Sequence, residues 1–353
     1  QMCIRDSINE GIQDLSLKKM PANHTPFVAI LLLNWNGWKD TIECLQSISQ
    51  STGVAFSIVV CDNGSHDSSL EKITGWARAA SRPFALYDRT QAEAGGAVGQ
   101  DEPLVLIQTG ANLGFAGGNN VGLRYCLAHG GFDYVWVLNN DTVVAPDALQ
   151  QLVARAQQDP AIGICGSKLV FYHQRGQVQA YGGSAFDARR GVVVPIGQFA
   201  PTEAACDVAA VEAQTAYVVG ASMLVSTPFL QTVGLMCEDY FLYFEEIDWA
   251  FRARGKFKLA YADASVVWHK EGGTIGSSST KEPSATSTRY LYRNRMIFNW
   301  RYNRAHFARC LVQVGFEMLV LLKRGQFKTV KVALSSSLAG LLALRHTGVP
   351  YAG

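Results

Sequence analysis

The sequence is poor in charge, has no paired cysteines and lacks a long uninterrupted apolar run. Charged residues make up 17% of the 353 positions and the formal net charge is +2, so no overall electrostatic bias selects a partner. The eight cysteines (Cys3, Cys44, Cys61, Cys126, Cys165, Cys206, Cys237 and Cys310) are scattered and include no C-x-x-C pair. That pattern supplies neither a structural zinc site nor a disulfide framework, and it fits a reducing cytosol. No apolar stretch reaches the roughly 18 residues of a spanning helix. No apolar signal-peptide core follows the N-terminus, and no internal repeat is visible. Gln1–Ser7 (QMCIRDS) carries no fold signal and resembles a translated sequencing adapter; residues 1–24 are expected to be a disordered segment.

What is present points to a large core. Hydrophobic residues make up 48% of the chain, more than the commonest domain size needs. One domain over residues 25–275 is expected, followed by a basic helical region over 276–353. The charge is unevenly spread: Arg289 to Arg345 holds eleven of the 31 basic residues but one of the 29 acidic ones, Glu317. A basic tail suits an anionic membrane surface or nucleic acid, and no recognised nucleic-acid motif accompanies this one.

Along the chain, apolar runs alternate with helical periodicities. Strands are expected at Phe27–Leu33, Phe56–Cys61, Leu104–Gln108 and Tyr134–Leu138. Helices are expected at Lys39–Ser49, Leu70–Ala80, Gly118–His129 and from Pro146 to about Gln158. This alternation predicts a parallel sheet with right-handed crossovers, whose ligands bind beyond the strand carboxyl ends. Arg89–Glu102 reads as an exposed loop and Ser277–Ser287 as a mobile one.

Polar residues cluster just past those strand ends. Asp62 follows Ser57-Ile58-Val59-Val60-Cys61 and can accept hydrogen bonds from a base or ribose, although taken alone Asp-Asn-Gly-Ser is better explained by an Asx turn. Asn112-Leu113-Gly114-Phe115-Ala116-Gly117-Gly118-Asn119-Asn120 can bring backbone N–H groups to a phosphate at a helix N-terminus, or can simply turn. Asn139-Asn140-Asp141 offers one carboxylate to a divalent metal, or a capping turn. Glu245-Glu246-Ile247-Asp248 follows an aromatic run. Its carboxylates are either helix N-terminal charges or a general-base cluster whose pKa burial would raise. His269 ends Val266-Val267-Trp268 and is a structural residue unless it lies near Asp141.

Taken in order, NWNGWKDT, VVCDNGSHD, NLGFAGGNN, VWVLNNDTVV, VGASMLVS, FLYFEEIDWAFRARG and VVWH resemble glycosyltransferase family 2, in its rhamnosyltransferase-like bacterial branch. The resemblance covers about Val28 to Trp300. It implies a GT-A fold, an α/β architecture with a mostly parallel central sheet flanked by helices and a C-terminal helical appendage. It also implies an inverting transfer from a nucleotide-diphosphate sugar, with dTDP-rhamnose the leading donor, to a glycan or lipid-linked acceptor in cell-surface polysaccharide synthesis. On this basis the donor would be held by Asn34, Asn36, Asp62, Asn112, Gly114, Gly117, Asn120, Asn139 and Asn140. Asp141 and His269 would hold Mg²⁺ or Mn²⁺. Gly220, Ala221 and Ser222 would line the acceptor side, and Glu245, Glu246 and Asp248 would form the catalytic acidic motif, with Glu246 favoured as base. Asn-Asn-Asp departs from the family's usual Asp-x-Asp, and Glu-Glu from Glu-Asp or Asp-Asp.

The basic C-terminal region reads as a pair of amphipathic helices, Cys310–Leu322 and Val330–Leu344, that lie on a membrane, pack on the body or pair with a second copy. A peripheral location at the inner face of the cytoplasmic membrane follows from the first option. Two other functions are compatible with a nucleotide pocket: a sugar nucleotidyltransferase, and a non-catalytic nucleotide-sugar-binding protein. Asn34-Trp35-Asn36-Gly37 lacks the basic triphosphate loop of the former, and the intact acidic cluster argues against the latter.

Overall fold

The computed structural model describes residues 25–97, 102–271 and 283–344. The adapter-like segment and most of the Ser/Thr-rich stretch lie outside the described residues. The first half alternates as expected: β1 (Phe27–Asn34), α1 (Trp38–Ile48), β2 (Ala55–Asp62), α2 (Ser69–Ala79), β3 (Ala85–Asp88), α3 (Arg89–Glu93), β4 (Leu104–Gln108), α4 (Gly114–His129), β5 (Tyr134–Asn139), β6 (Thr142–Val144) and α5 (Ala148–Ala156). The second half is richer in strands: β7 (Ile162–Phe171), β8 (Val178–Tyr181), β9 (Gly183–Asp187), β10 (Val192–Pro195), α6 (Val208–Gln214), β11 (Tyr217–Val218), β12 (Ser222–Ser226), α7 (Thr227–Val233), α8 (Glu245–Arg252) and β13 (Lys258–His269). Three helices follow: α9 (Ala285–Tyr302), α10 (Phe307–Lys323) and α11 (Phe327–Ala343).

Part of the expected loop at Arg89–Glu102 is the helix α3. Asp88 and Gln91 form a reciprocal capping box at its start, which satisfies two helix-end amides in a segment with little apolar periodicity. α4 begins four residues before the expected Gly118, at Gly114. Ser284, at the end of the stretch expected to be mobile, caps α9 by accepting from the Ser287 amide.

The main sheet runs β3-β4-β2-β1-β5-β12-β7-β13-β6, with β8 paired to β7. From β3 to β5 every pairing is parallel, as helical crossovers require. β12 then enters antiparallel between β5 and β7, and β13 lies parallel to β7 and antiparallel to β6. A second sheet, β10-β9-β11, stands beside it. Alternation along β1 separates two cores. Val28, Ile30 and Leu32 pack with α1, α2 and α5, while Ala29 and Leu31 pack with α4, Phe229 and Trp249. Such strands are buried on both faces, which is why they read as continuous apolar runs.

The expected boundary at 275/276 groups α9 with the appendage, and α9 touches both sides: Gly340 of α11 packs on Arg293 and Met296, while the other face of α9 reaches the body. Ile297 and Phe298 share a core with Tyr240, Phe244, Ile247 and Phe251 of the α8 region. The short sequence estimate for the first appendage helix is also revised. Together with a 3-10 turn it runs Arg304–Lys323, 20 residues at mean hydropathy 1.5, long and apolar enough by length and composition to cross a membrane.

Candidate active site

Register places the carboxyl ends of the parallel strands on one line: Asn34 opposite Asp62, Asp62 opposite Gln108, and Leu33 opposite Asn139. The start of antiparallel β12 faces the end of β5, where the Asn139 amide donates to the Ala221 carbonyl at 3.1 Å. Pairing of β6 with β13 sets His269 opposite Thr142, and the Lys270 amide donates to the Asp141 carbonyl. Backbone pairing between segments far apart in sequence therefore brings Asp141 to His269.

A cavity of about 680 Å³ opens over this edge. Its polar lining comes from Asn63, Asn112, Asn139, Asn140, Asp141 and His269, its apolar and aromatic lining from Phe115, Tyr217, Phe241, Tyr243, Phe244 and Leu291, and Gly114, Gly220, Ala221, Glu245 and Glu246 also face it. His269 Nε2 lies 3.2 Å from Asp141 Oδ1, and its Nδ1 lies 3.0 Å from Gln179 Oε1. Gln179 Nε2 in turn donates to Glu271 at 2.6 Å. The amide oxygen of Gln179 thus faces Nδ1, which fixes the proton there and turns Nε2 toward Asp141. Burial opposes protonation of His269, but the Asp141 carboxylate outweighs it and raises the imidazole pKa.

Glu245 and Glu246 open α8. Glu245 is 1% exposed, and its Oε2 is buried with no hydrogen-bond partner. Burial, then the neighbouring Glu246 charge, holds the Glu245 carboxyl well above the ordinary value of 4.5; burial also raises Glu246. Glu246 is the partly exposed member, so it is the one that ionises first while Glu245 keeps its proton. Gly220 makes room for it: a Cβ there would stand 2.6 Å from Glu246 Oε1.

The loop that presents the pair is strained. Phe241, Tyr243 and Phe244 all have left-handed φ, at 61°, 64° and 76°, unfavourable for bulky residues. α9 holds it in place: Nδ2 of the fully buried Asn294 donates to the carbonyls of Tyr240, Leu242 and Tyr243 at 2.7–2.9 Å. Arg293 donates to Asn294 Oδ1 at 2.6 Å, which fixes the orientation of that amide.

Several expected site residues lie below or beside the cavity. Asn34 is fully buried and donates to Asp62 Oδ2 at 2.7 Å, while Asp62 Oδ1 accepts from the Ser65 amide. Asn36 braces the same turn through His66 and Ser65. Asp62 itself is 6% exposed, and its neighbour Asn63 lines the cavity. Three amides of the glycine-rich turn are already used: those of Leu113, Gly114 and Phe115 donate to Asn63, Asn112 and the Phe241 carbonyl. Gly114 is required there, with φ 75° and the Phe241 carbonyl against the space of a Cβ. Gly117 packs on Leu113, and Asn120 ties Met236 and Glu238 to α4.

Two expected positions have other duties. Ser222 is buried between Trp136 and Ser167, to which it is hydrogen-bonded. Asp248 is fully buried, paired with Arg252 at 2.9 Å and bonded by Tyr302 at 2.8 Å. It does not line the cavity, and the helical period sets it on the far side of α8 from Glu246. Residues the motifs did not single out, Asn63, Gln179 and Asn294, complete the arrangement. Asn63 is adjacent to an expected site residue, but Gln179 and Asn294 carry no local signal.

Residues 29–182 match the family model described as glycosyl transferase family 2. The fold is GT-A. Mannosyltransferase PcManGT from Pyrobaculum calidifontis, solved in complex with GDP-Man and Mn²⁺, superposes with a TM-score of 0.51 at 15% identity, covering 93% of this chain and 77% of that one. TarS 1–349 of S. aureus covers 81% of this chain and 71% of its own at 15% identity, with a TM-score of 0.46. The low-salt glycan biosynthesis hexosyltransferase Agl10 of Haloferax volcanii is 24% identical over 164 residues, 42% of this chain and 45% of that protein. The chain therefore spans less than half the length of that relative. The family match ends before Glu245, so roles for the acidic pair within the GT-A domain rest on geometry.

Proposed function

We propose that the protein is an inverting glycosyltransferase that moves a sugar from a nucleotide-diphosphate sugar to a hydroxyl of a glycan or lipid-linked acceptor at the inner face of the cytoplasmic membrane. One observation carries the reading: Asp141, His269, Glu245 and Glu246 line a single cavity at the carboxyl edge of the sheet, with both polar and aromatic side chains in its wall. The polar side chains suit a nucleoside diphosphate and the aromatic ones the faces of an acceptor. Asn112, Asn139, Asn140 and Gly114 would contact the donor, with Asn34, Asn36 and Asp62 bracing the base and ribose end. The lone pairs of the Asp62 carboxylate not used by Asn34 and Ser65 remain for that contact. The resemblance makes dTDP-rhamnose the first donor to test, and the hexosyl- and mannosyltransferase relatives add other hexoses.

Asp141 and His269 fit a divalent metal as a minimal donor set, one carboxylate oxygen and one imidazole nitrogen converging on the cavity. No group of three or more His, Cys, Asp or Glu residues forms a cage among the described residues. Mg²⁺ or Mn²⁺ would complete its shell with diphosphate oxygens and water, as such ions commonly do. When bound, the ion would offset charge on the departing diphosphate.

Glu246 is the base in this reading. Its raised pKa makes the ionised form a stronger proton acceptor, and Glu245, kept protonated beside it, avoids a second charge. As the acceptor oxygen bonds to the anomeric carbon, its proton passes to Glu246 and the bond to the diphosphate breaks on the opposite face. The aromatic loop and α9 exclude water and orient the acceptor. The test is release of nucleoside diphosphate from a panel of nucleotide sugars with Mg²⁺ or Mn²⁺, with and without acceptor glycans. Acceptor-dependent release from at least one donor is expected. No binding of any nucleotide sugar would overturn the reading.

A further inference from the structure

The C-terminal helices carry an apolar surface that the cavity chemistry does not use. Of twelve exposed large hydrophobic residues among those described, nine lie on α10 and α11. Val312, Phe316 and Leu319 form one stripe on α10, 58–74% exposed, at helical spacing. Leu334, Leu338 and Leu342 form another on α11, 50–59% exposed. The inner faces are occupied: Cys310 and Val314 pack on Met296, and Gly340 sits against the Arg293 carbonyl of α9. Exposed apolar stripes of this kind on a folded domain mark a contact face.

Charge selects what covers it. The hairpin tip presents Phe327, 68% exposed, among exposed Lys323, Arg324, Lys328 and Lys331, none of which forms an ion pair with a described residue. The single acid of the two helices, Glu317, is held by Arg295 at 2.9 Å. A second copy of the hairpin would bring like charges together, whereas an anionic bilayer offers hydrocarbon to the leucines and phosphate to the lysines. With the 3-10 turn before it, α10 is long and apolar enough by length and composition to span a membrane, but its Glu317–Arg295 pair and the packing of Cys310 and Val314 on Met296 fasten it to α9. That geometry lays the helix along a surface.

We propose that α10 and α11 form an interfacial platform that docks the GT-A domain on an anionic phospholipid bilayer and so presents the cavity to a lipid-linked acceptor. The acceptor clause rests on the glycosyltransferase reading; the docking clause does not. One helix serves both ends. α9 lines the cavity with Ser287 and Leu291 and seats the hairpin with Arg293 and Met296. It has 18 residues, about 27 Å at 1.5 Å per residue, so Ser287 and Leu291 in the cavity wall lie within that distance of the residues that seat the hairpin.

The test is flotation of the full chain with vesicles of phosphatidylcholine alone or mixed with phosphatidylglycerol. Binding to the mixed vesicles only, weakened by salt and released by alkaline carbonate, is expected. A Val312→Ser, Phe316→Ser, Leu319→Ser variant should lose at least tenfold in vesicle affinity, and so should a Lys323→Gln, Lys328→Gln, Lys331→Gln variant. Both should keep the wild-type melting temperature and their transfer rate to a soluble acceptor. Three results would overturn the proposal: no flotation, retention through alkaline carbonate, or a lipid-free dimer that the serine variant dissociates while vesicles bind neither form. Flotation without transfer from any nucleotide sugar would keep the docking surface and sink the glycosyltransferase reading instead.

Discussion

Asp248 and Glu246 lie two residues apart in one acidic run, yet substitution should affect them in opposite ways. In Asp248→Ala the guanidinium of Arg252, 11% exposed, loses its 2.9 Å carboxylate partner and keeps the Val233 and Leu235 carbonyls. Tyr302 also loses its 2.8 Å acceptor. Removing one member of a buried ion pair costs about 3–5 kcal/mol. At roughly 2 °C per kcal/mol for a chain of this size, the melting temperature should fall by about 6–10 °C. Transfer measured well below the melting point should stay within a few-fold of wild type. Glu246→Gln keeps the volume and removes a charge that burial disfavours, so its melting temperature should hold or rise, while kcat falls by about 10²–10⁴-fold as for loss of a general base. Differential scanning fluorimetry and a coupled diphosphate-release assay read the two quantities on the same preparations. Abolished transfer with an unchanged melting temperature in Asp248→Ala, or near-normal transfer in Glu246→Gln, would refute this division of roles.

Other expectations follow from the same geometry. Because burial raises the Glu245 and Glu246 carboxyls above 4.5 in the folded state, the folded protein binds protons more tightly than the unfolded chain. Their contribution to stability is therefore present at low pH and lost as pH rises through the raised values. Glu245→Gln should flatten the fall of melting temperature with rising pH over that range, and kcat should rise over the same range as Glu246 ionises. Asn294→Ala removes the donor to three loop carbonyls, a loss of about 1–3 kcal/mol for stranded buried groups; kcat should fall more than KM rises, because the loop carries the acidic pair. An unchanged kcat would separate the loop from the chemistry. Gln179→Ala should weaken Mn²⁺ binding, read by calorimetry without turnover, by about 10–100-fold, as loss of an orienting partner to a ligating imidazole does. Equal affinity would remove His269 from the metal site.

Much of the GT-A domain was legible because its parallel strands are buried on both faces. β1, β2, β4 and β5 read as apolar runs within a residue or two of their ends, and the polar groups that close them were visible as breaks in those runs. β3 and α3 were not, since Ala85–Asp88 is short and half exposed and the capping box at Asp88 precedes no long apolar period. α9 was hidden for the opposite reason: it buries polar and apolar residues around its circumference, Asn294, Arg295 and Asn299 beside Met296, Ile297 and Phe298. A helix enclosed on several sides shows no amphipathic stripe.

The motif residues divide in the same way. The sequence by itself determined that carboxylates and amides cluster after β1, β2, β5 and an aromatic run, because the strand that precedes each one reads as a continuous apolar segment. It could not say which of those groups meet. Asp141 reaches His269 through the pairing of β6 with β13, and Glu246 reaches the cavity through a left-handed loop held by Asn294 from a later helix. Asp248, two residues on from Glu246, falls on the far side of α8 from it and is taken up by Arg252 and Tyr302. Local composition sets what a segment can do; long-range pairing and the phase of each helix decide which side chains share one space.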